Sequence, residues 1–357
     1  MARGRLSLAM SILQRIQSWA PVPVYPVIGK GGLRAIERLR LDPALTLVSS
    51  ARHASIMLVC GDIRDGDRPA LRQLHDQLPH PRATLWCSSP PLCDAADPVE
   101  KRGDDATVAL RQLDADLRAG TRTTEADWLP DQPPNAWMGK GDHGQGGKGM
   151  MGGVPYGRPM AMTDEDLRDG LDLDAMTISV GPFAPMLPPG LSLELVLQGD
   201  VIQTARILTS AYQEEMPARE TSLWQASRLL ELVGLAGLAR RCRSAVQMTD
   251  VATDSLYAAA RRAGAFFAVP PGLGQIGASD VRTRLREVLS GSPSSMPDSA
   301  PLLIDMMRGL EWQEAMLVVA SLSPRLLETI APVTPTGDDR AAVTKKPVPH
   351  QNHMGHH

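Results

Sequence analysis

Apolar and polar positions follow two regimes along this chain. From Pro43 onward, continuous apolar runs at Leu45 to Val48, Ile56 to Cys60 and Ala83 to Cys87 have the length and composition of strands buried on both faces. Between the second and third runs, Asp67 to Leu78 sets Leu71, Leu74 and Leu78 at helical spacing. Asp67 is its candidate N-cap, and Pro79 and Pro81 end it. Strand, helix, strand in this order predicts a right-handed crossover within a parallel sheet. A further helix is predicted over Ala106 to Leu117. The second regime starts at Met176, where Met176, Ile178 and Val180 alternate with Thr177 and Ser179. Leu191, Leu193, Leu195 and Leu197 alternate in the same way, and Val201 to Leu208 follows Gly199-Asp200. That pattern predicts an antiparallel meander whose last hairpin turns at Gly199-Asp200. Helical spacing then returns over Leu223 to Val246, divided by Gly234 and Gly237, and over Ser255 to Phe266, Asp280 to Leu289 and Leu302 to Ala320.

The pattern divides the chain into an α/β domain over 40–120 and an α+β domain over 176–333, in which the meander is followed by helices. Residues 1–39 place Arg3 and Arg5 ahead of Leu6, Leu8, Met10, Leu13 and Ile16, which predicts an amphipathic docking segment. Residues 121–175 are a polar linker followed by a glycine-rich connector, with nine glycines between Gly139 and Gly157. The connector is not a Walker loop: Asp142 stands where the first glycine belongs, and Gly149 follows Lys148 in place of Ser or Thr. Flexible linkers favour serine, whereas this one interleaves methionine, tyrosine and arginine. Gly146, Gly147, Lys148, Met150, Met151, Tyr156, Arg158 and Met160 are therefore its expected partner-binding residues. Residues 334–357, rich in proline, charge and histidine, read as a disordered tail.

The net charge of −3 offers no basic field for nucleic acid, and no run approaches the eighteen apolar residues of a membrane span. Four cysteines, Cys60, Cys87, Cys93 and Cys242, suggest a reducing compartment without a disulfide framework. Cys60 and Cys87 close two predicted strands, at the end where open α/β sheets hold ligands. The spacing from Cys87 to Cys93 matches no standard zinc or iron–sulfur pattern, and Cys242 lies on an apolar helical stripe as a core residue.

Two stretches carry a family resemblance. Ser50-Ala51-Arg52-His53-Ala54-Ser55-Ile56-Met57-Leu58-Val59-Cys60-Gly61, with Pro69 to Pro81, resembles the small iron–sulfur subunit of respiratory complex I and of group 4 membrane-bound nickel–iron hydrogenases. Ile178-Ser179-Val180-Gly181-Pro182 and Gly190 to Asp200 resemble the start of the large subunit of the same families. The resemblance implies a flavodoxin-like fold for the first domain and a truncated large-subunit-like second domain. It also implies a place on a membrane arm of antiporter-like proton-translocating subunits, at the cytoplasmic face of the inner membrane. The family's adjacent cysteine pair is missing, since no cysteine precedes Cys60. The loop that bears quinone-site histidines in complex I is Phe183 to Pro189 here, with none, and the hydrogenase Cys-x-x-Cys pairs are absent. The expectation is a non-catalytic, degenerate adaptor with no cofactor. The alternative is a redox-active quinone oxidoreductase or hydrogenase subunit holding a 4Fe-4S cluster through Cys60, Cys87 and Cys93.

Overall fold

The first sheet is organised on Val22–Ile28, β1, a strand that carries prolines at positions 23 and 26. Helix α1 (Leu33–Leu39) and strands β2 (Leu45–Leu47) and β3 (Ile56–Cys60) follow, then helix α2 (Arg68–His75), strands β4 (Ala83–Cys87) and β5 (Val99–Lys101), and helix α3 (Ala106–Ala119). All five strands are parallel, in the order β2-β1-β3-β4-β5. Within 20–333, the computed structural model describes residues 20–92, 99–101, 106–131, 162–163, 173–248, 253–291 and 300–333.

The prolines of β1 are tolerated because of where its two ladders stop. Val22 N–H and Val24 C=O both bond on the β2 side, so alternation turns Pro23 toward β3 and Pro26 toward β2. Pairing with β3 begins only at Val24, and pairing with β2 ends there. Each proline thus faces a place where no ladder bond is available to lose. This corrects the reading of 1–39 as one docking segment, since residues 22–39 belong to the sheet and its first helix.

Side chains of the sheet alternate between two cores. Val24, Ile56, Leu58, Cys60, Leu85 and Cys87 face α1 and α3, while Tyr25, Val27, Met57, Val59 and Trp86 face α2. The second face is sealed by residues 124–129, which composition alone reads as linker. Trp128 stacks on the fully buried imidazole of His75 at 3.6 Å. The two ring nitrogens of His75 lie 2.8 Å from Asp76 Oδ1 and 3.1 Å from Glu125 Oε2. The N–H groups of Trp128 and Leu129 donate to Asp76, both at 2.9 Å. Thr84 donates its N–H and hydroxyl to Glu125, both at 2.8 Å. Buried Arg82 completes the clamp on Asp76, Asp127 and the carbonyls of His75 and Leu78.

The second domain opens with an antiparallel sheet of β6 (Met162–Thr163), β7 (Asp174–Val180), β8 (Ser192–Gln198) and β9 (Val201–Thr209) in sequential order. The expected hairpin turns at Gly199-Asp200, with Gly199 at positive φ. Helices α4 (Ala218–Leu232), α5 (Ala236–Gln247), α6 (Thr253–Arg262), α7 (Ala265–Ala268), α8 (Val281–Ser290), α9 (Leu303–Met307), α10 (Trp312–Ser321) and α11 (Pro324–Ile330) cover one face of it. The long helix expected over 223–246 breaks at Gly234, and that expected over 302–320 breaks at Gly309, both at positive φ. Asp280 caps α8 by accepting from Thr283 N–H at 2.7 Å.

The domains interlock at Phe183. Its side chain, 7% exposed, belongs to the first domain's cluster with Tyr25, Met57 and Trp86, and Tyr25 donates its hydroxyl proton to the Phe183 carbonyl at 2.9 Å. Gly181 sets the approach, because a Cβ there would lie 2.1 Å from Leu191 O at φ +99°.

Two predictions follow from this packing. Phe183→Ala should cost about 3–5 kcal/mol, as other buried aromatics do. Urea unfolding reads the loss, and a cost under about 1 kcal/mol would show that Phe183 does not hold the seam. The second concerns acid. Burial alone would raise the Asp76 and Glu125 carboxyls, but the N–H and hydroxyl donors and His75 outweigh it and hold both below the ordinary carboxylate range. Depressed folded-state values mean that this stabilisation is present above about pH 4 and is lost as pH falls below it. Stability measured from pH 6 downward should therefore fall, with a shallower slope in Glu125→Gln. Equal slopes in the two proteins would contradict the clamp.

Candidate functional site: a cleft between the domains

In a parallel sheet of this kind the first place for a ligand is the crevice where the strand order reverses, here between β1 and β3. The loop Gly29-Lys30-Gly31-Gly32 leads from β1 into α1 at that point. It is packed shut. Lys30 and Asp62 exchange two backbone hydrogen bonds at 2.9 Å, and a Cβ on Gly32 would lie 2.0 Å from Cys60 O. Glu214 of the second domain accepts from Gly31 N–H at 2.9 Å and also from Leu33 N–H. The place of a ligand anion at this crevice is thus taken by the protein's own carboxylate. Burial raises the Glu214 carboxyl, against the opposing effect of those two amides and Arg34.

Cys60 and Cys87 are register partners on β3 and β4, 1% and 4% exposed. Their side chains share a hydrogen bond. It lowers the Cys87 thiol to about 7, while the same bond and burial push Cys60 far above its ordinary value. Cys242 is buried in α5 in the other domain, where burial pushes it up to about 11. Cys93 lies outside the described residues, as do Gly146, Gly147, Lys148, Met150, Met151, Tyr156, Arg158 and Met160. Among the described residues no group of three or more His, Cys, Asp or Glu is placed to hold a metal. Two adjacent thiols do not make the four-thiolate set of a 4Fe-4S cluster, so the described donors do not fit one.

The seam between the domains is polar at its margins. Arg64 spans it, donating to Ser210 O at 2.8 Å and Gly190 O at 2.6 Å while lying over the Tyr212 ring at 4.4 Å. Asp67 holds the N-cap position of α2 as expected but makes no side-chain cap. Its carboxylate instead accepts from Arg64 Nε and from the Tyr212 hydroxyl, both at 2.7 Å.

Inside the seam lies a cavity of about 110 Å³, and a wider pocket of about 450 Å³ shares Arg40, Pro185, Arg228 and Glu231 with it. Its walls are largely apolar: Pro26, Ile28 and Leu33 from the first domain, and Phe183, Trp224 and Leu327 from the second. Four of its six charged residues form one network. Glu37 of α1 accepts from Arg40 Nε at 3.1 Å and from Arg243 Nε at 2.7 Å, and Glu231 accepts from Arg243 Nη2. Arg228 of α4 donates to Met186 O at 3.3 Å. Burial, with Arg40 and Arg243 nearby, pulls Arg228 down to about 10. None of these charged residues carries a spacing signal, because Glu37 and Arg243 stand 206 positions apart.

Removing one partner of a buried ion pair leaves the other charge uncompensated. Glu37→Gln should therefore destabilise the protein by about 3–5 kcal/mol in urea unfolding, with part of the loss recovered in Glu37→Gln/Arg243→Met. A cost in the single variant no larger than in the double would show that the pair is not coupled.

No protein-family model matches the chain, and a search of curated proteins finds no significant match.

Proposed function

We propose that this chain is a non-catalytic structural adaptor in a complex I-like membrane assembly, docking on antiporter-like proton-translocating subunits. The observation that carries the reading is the closed crevice of the parallel sheet. Where a cofactor-binding relative would keep an anion site, Glu214 of the second domain occupies the backbone amides. The two domains are thereby bolted to each other instead of opened toward a ligand. Strand order β2-β1-β3-β4-β5 supports a flavodoxin-like first domain. The antiparallel β7-β8-β9 sheet followed by helices supports a truncated large-subunit-like second domain. Among the described residues no helix is long and apolar enough to cross a membrane, so attachment at the cytoplasmic face of the inner membrane would come through partners. The connector residues Gly146 to Met160 are the proposed partner contacts.

Purification of the tagged chain from its native membranes tests the reading. Antiporter-like subunits should co-purify after a high-salt wash and be lost in detergent that disperses the complex. Replacing Gly146, Gly147, Gly152 and Gly153 by alanine should lower the yield of that complex while urea unfolding of the isolated chain stays unchanged. Recovery wholly in the soluble fraction, with no membrane subunit bound, would sink the proposal. Stoichiometric iron and acid-labile sulfide in the same preparation would assign a redox role instead.

A further inference from the structure

The cavity between the domains holds a guanidinium, Arg228, with no carboxylate hydrogen-bonded to it, which the adaptor reading does not use. The lining holds three guanidinium groups, Arg40, Arg228 and Arg243, and three carboxylates, Glu37, Glu214 and Glu231. Glu37 and Glu231 are both engaged by Arg243, Glu37 also by Arg40, and Glu214 by the amides of Gly31 and Leu33. Arg228 is left with one carbonyl, Met186 O at 3.3 Å, although a guanidinium carries five donors. It lines both the inner cavity and the wider pocket beside it.

We infer that this cleft binds a small organic carboxylate with an apolar body, its carboxylate on Arg228 and its body against Trp224 and Leu327. Each part of that ligand answers a feature of the site. A guanidinium without a carboxylate of its own calls for a monoanion. A planar fork with free donors matches the two oxygens of a carboxylate, which it engages side by side. The polar side chains of the lining donate elsewhere, Tyr212 to Asp67, Thr221 to Pro217 O and Gln225 to Ser321 O, and the rest is largely proline, isoleucine, leucine and tryptophan, so the outer oxygens of phosphate or sulfate would enter stripped of water and largely unbonded. A cavity of about 110 Å³ beside a wider pocket of about 450 Å³ has room for a ring or a short chain. Because residues from both domains line it, a bound acid would also brace the seam. The inference does not depend on membrane partners and stands or falls on the isolated chain.

Benzoate and octanoate are suitable probes, with methyl benzoate and inorganic phosphate as controls. Trp224 is buried in the cavity wall, so binding should change its fluorescence. That change should vanish in Trp224→Phe. Titration should give saturable binding of at least one acid, at least about tenfold tighter than the ester, with phosphate failing to compete. Arg228→Gln should weaken binding by at least about tenfold and Arg228→Lys by less, since lysine keeps the charge but not the fork. No saturable binding of either acid, or equal affinity for acid and ester, would overturn the proposal, and the second comparison needs only the unaltered protein. Competition by phosphate at equal concentration would reduce the site to a general anion site and overturn the assignment of ligand class.

Discussion

Phe183 binds the molecule into one body. An aromatic side chain from the loop after β7 completes the first domain's second core, between the sheet and α2. Removing it would expose apolar surface on both partners at once, and about 1.5–3 kcal/mol is gained by burying such a side chain. The Tyr25 hydroxyl on the Phe183 carbonyl then fixes where the ring enters. Every other contact of the seam presupposes that position. Arg64 reaches Ser210 and Gly190, and Glu214 reaches Gly31, only because the two domains are held in this register.

The charges of the seam are arranged by the same constraint. A buried ion pair gains little net stability over an apolar contact, since each charge gives up water. What Glu37, Arg243 and Glu231 supply is discrimination: any other docking of the two domains would leave a buried carboxylate or guanidinium without its partner. Arg228 lies beside this network with no carboxylate hydrogen-bonded to it, and the cavity is where the network meets open space. Phe183 and the charge pairing around Glu37 therefore both line the cleft.

The crevice of the parallel sheet is closed by the protein's own groups. Backbone packs on backbone at Gly32 and Cys60, and a carboxylate of the same chain meets the amides of Gly31 and Leu33. The far face is closed by the His75–Asp76–Glu125 clamp, which draws residues 124–129 over Trp86. Both closures depend on acidic side chains accepting from backbone amides.

Strands and helices with a clean local period were legible from the chain alone. Ile56–Cys60 and Ala83–Cys87 are buried on both faces and read as continuous apolar runs; β8 and the helices α4, α5 and α8 follow their periods. Their apolar pattern depends on which face meets the core, and that is written in neighbouring residues. β1 escaped because its prolines argue against a central strand, and only the staggered ends of β2 and β3 make them harmless. Residues 124–129 escaped because their polar composition matches a linker until His75 and Arg82 supply partners. The pairing of Cys60 with Cys87 was half legible, since both end predicted strands, but their adjacency is a matter of register. The cleft could not be seen at all. Glu37, Arg228 and Arg243 are ordinary charges on amphipathic helices until two domains meet, and a contact between residues some two hundred positions apart leaves no trace in local periodicity.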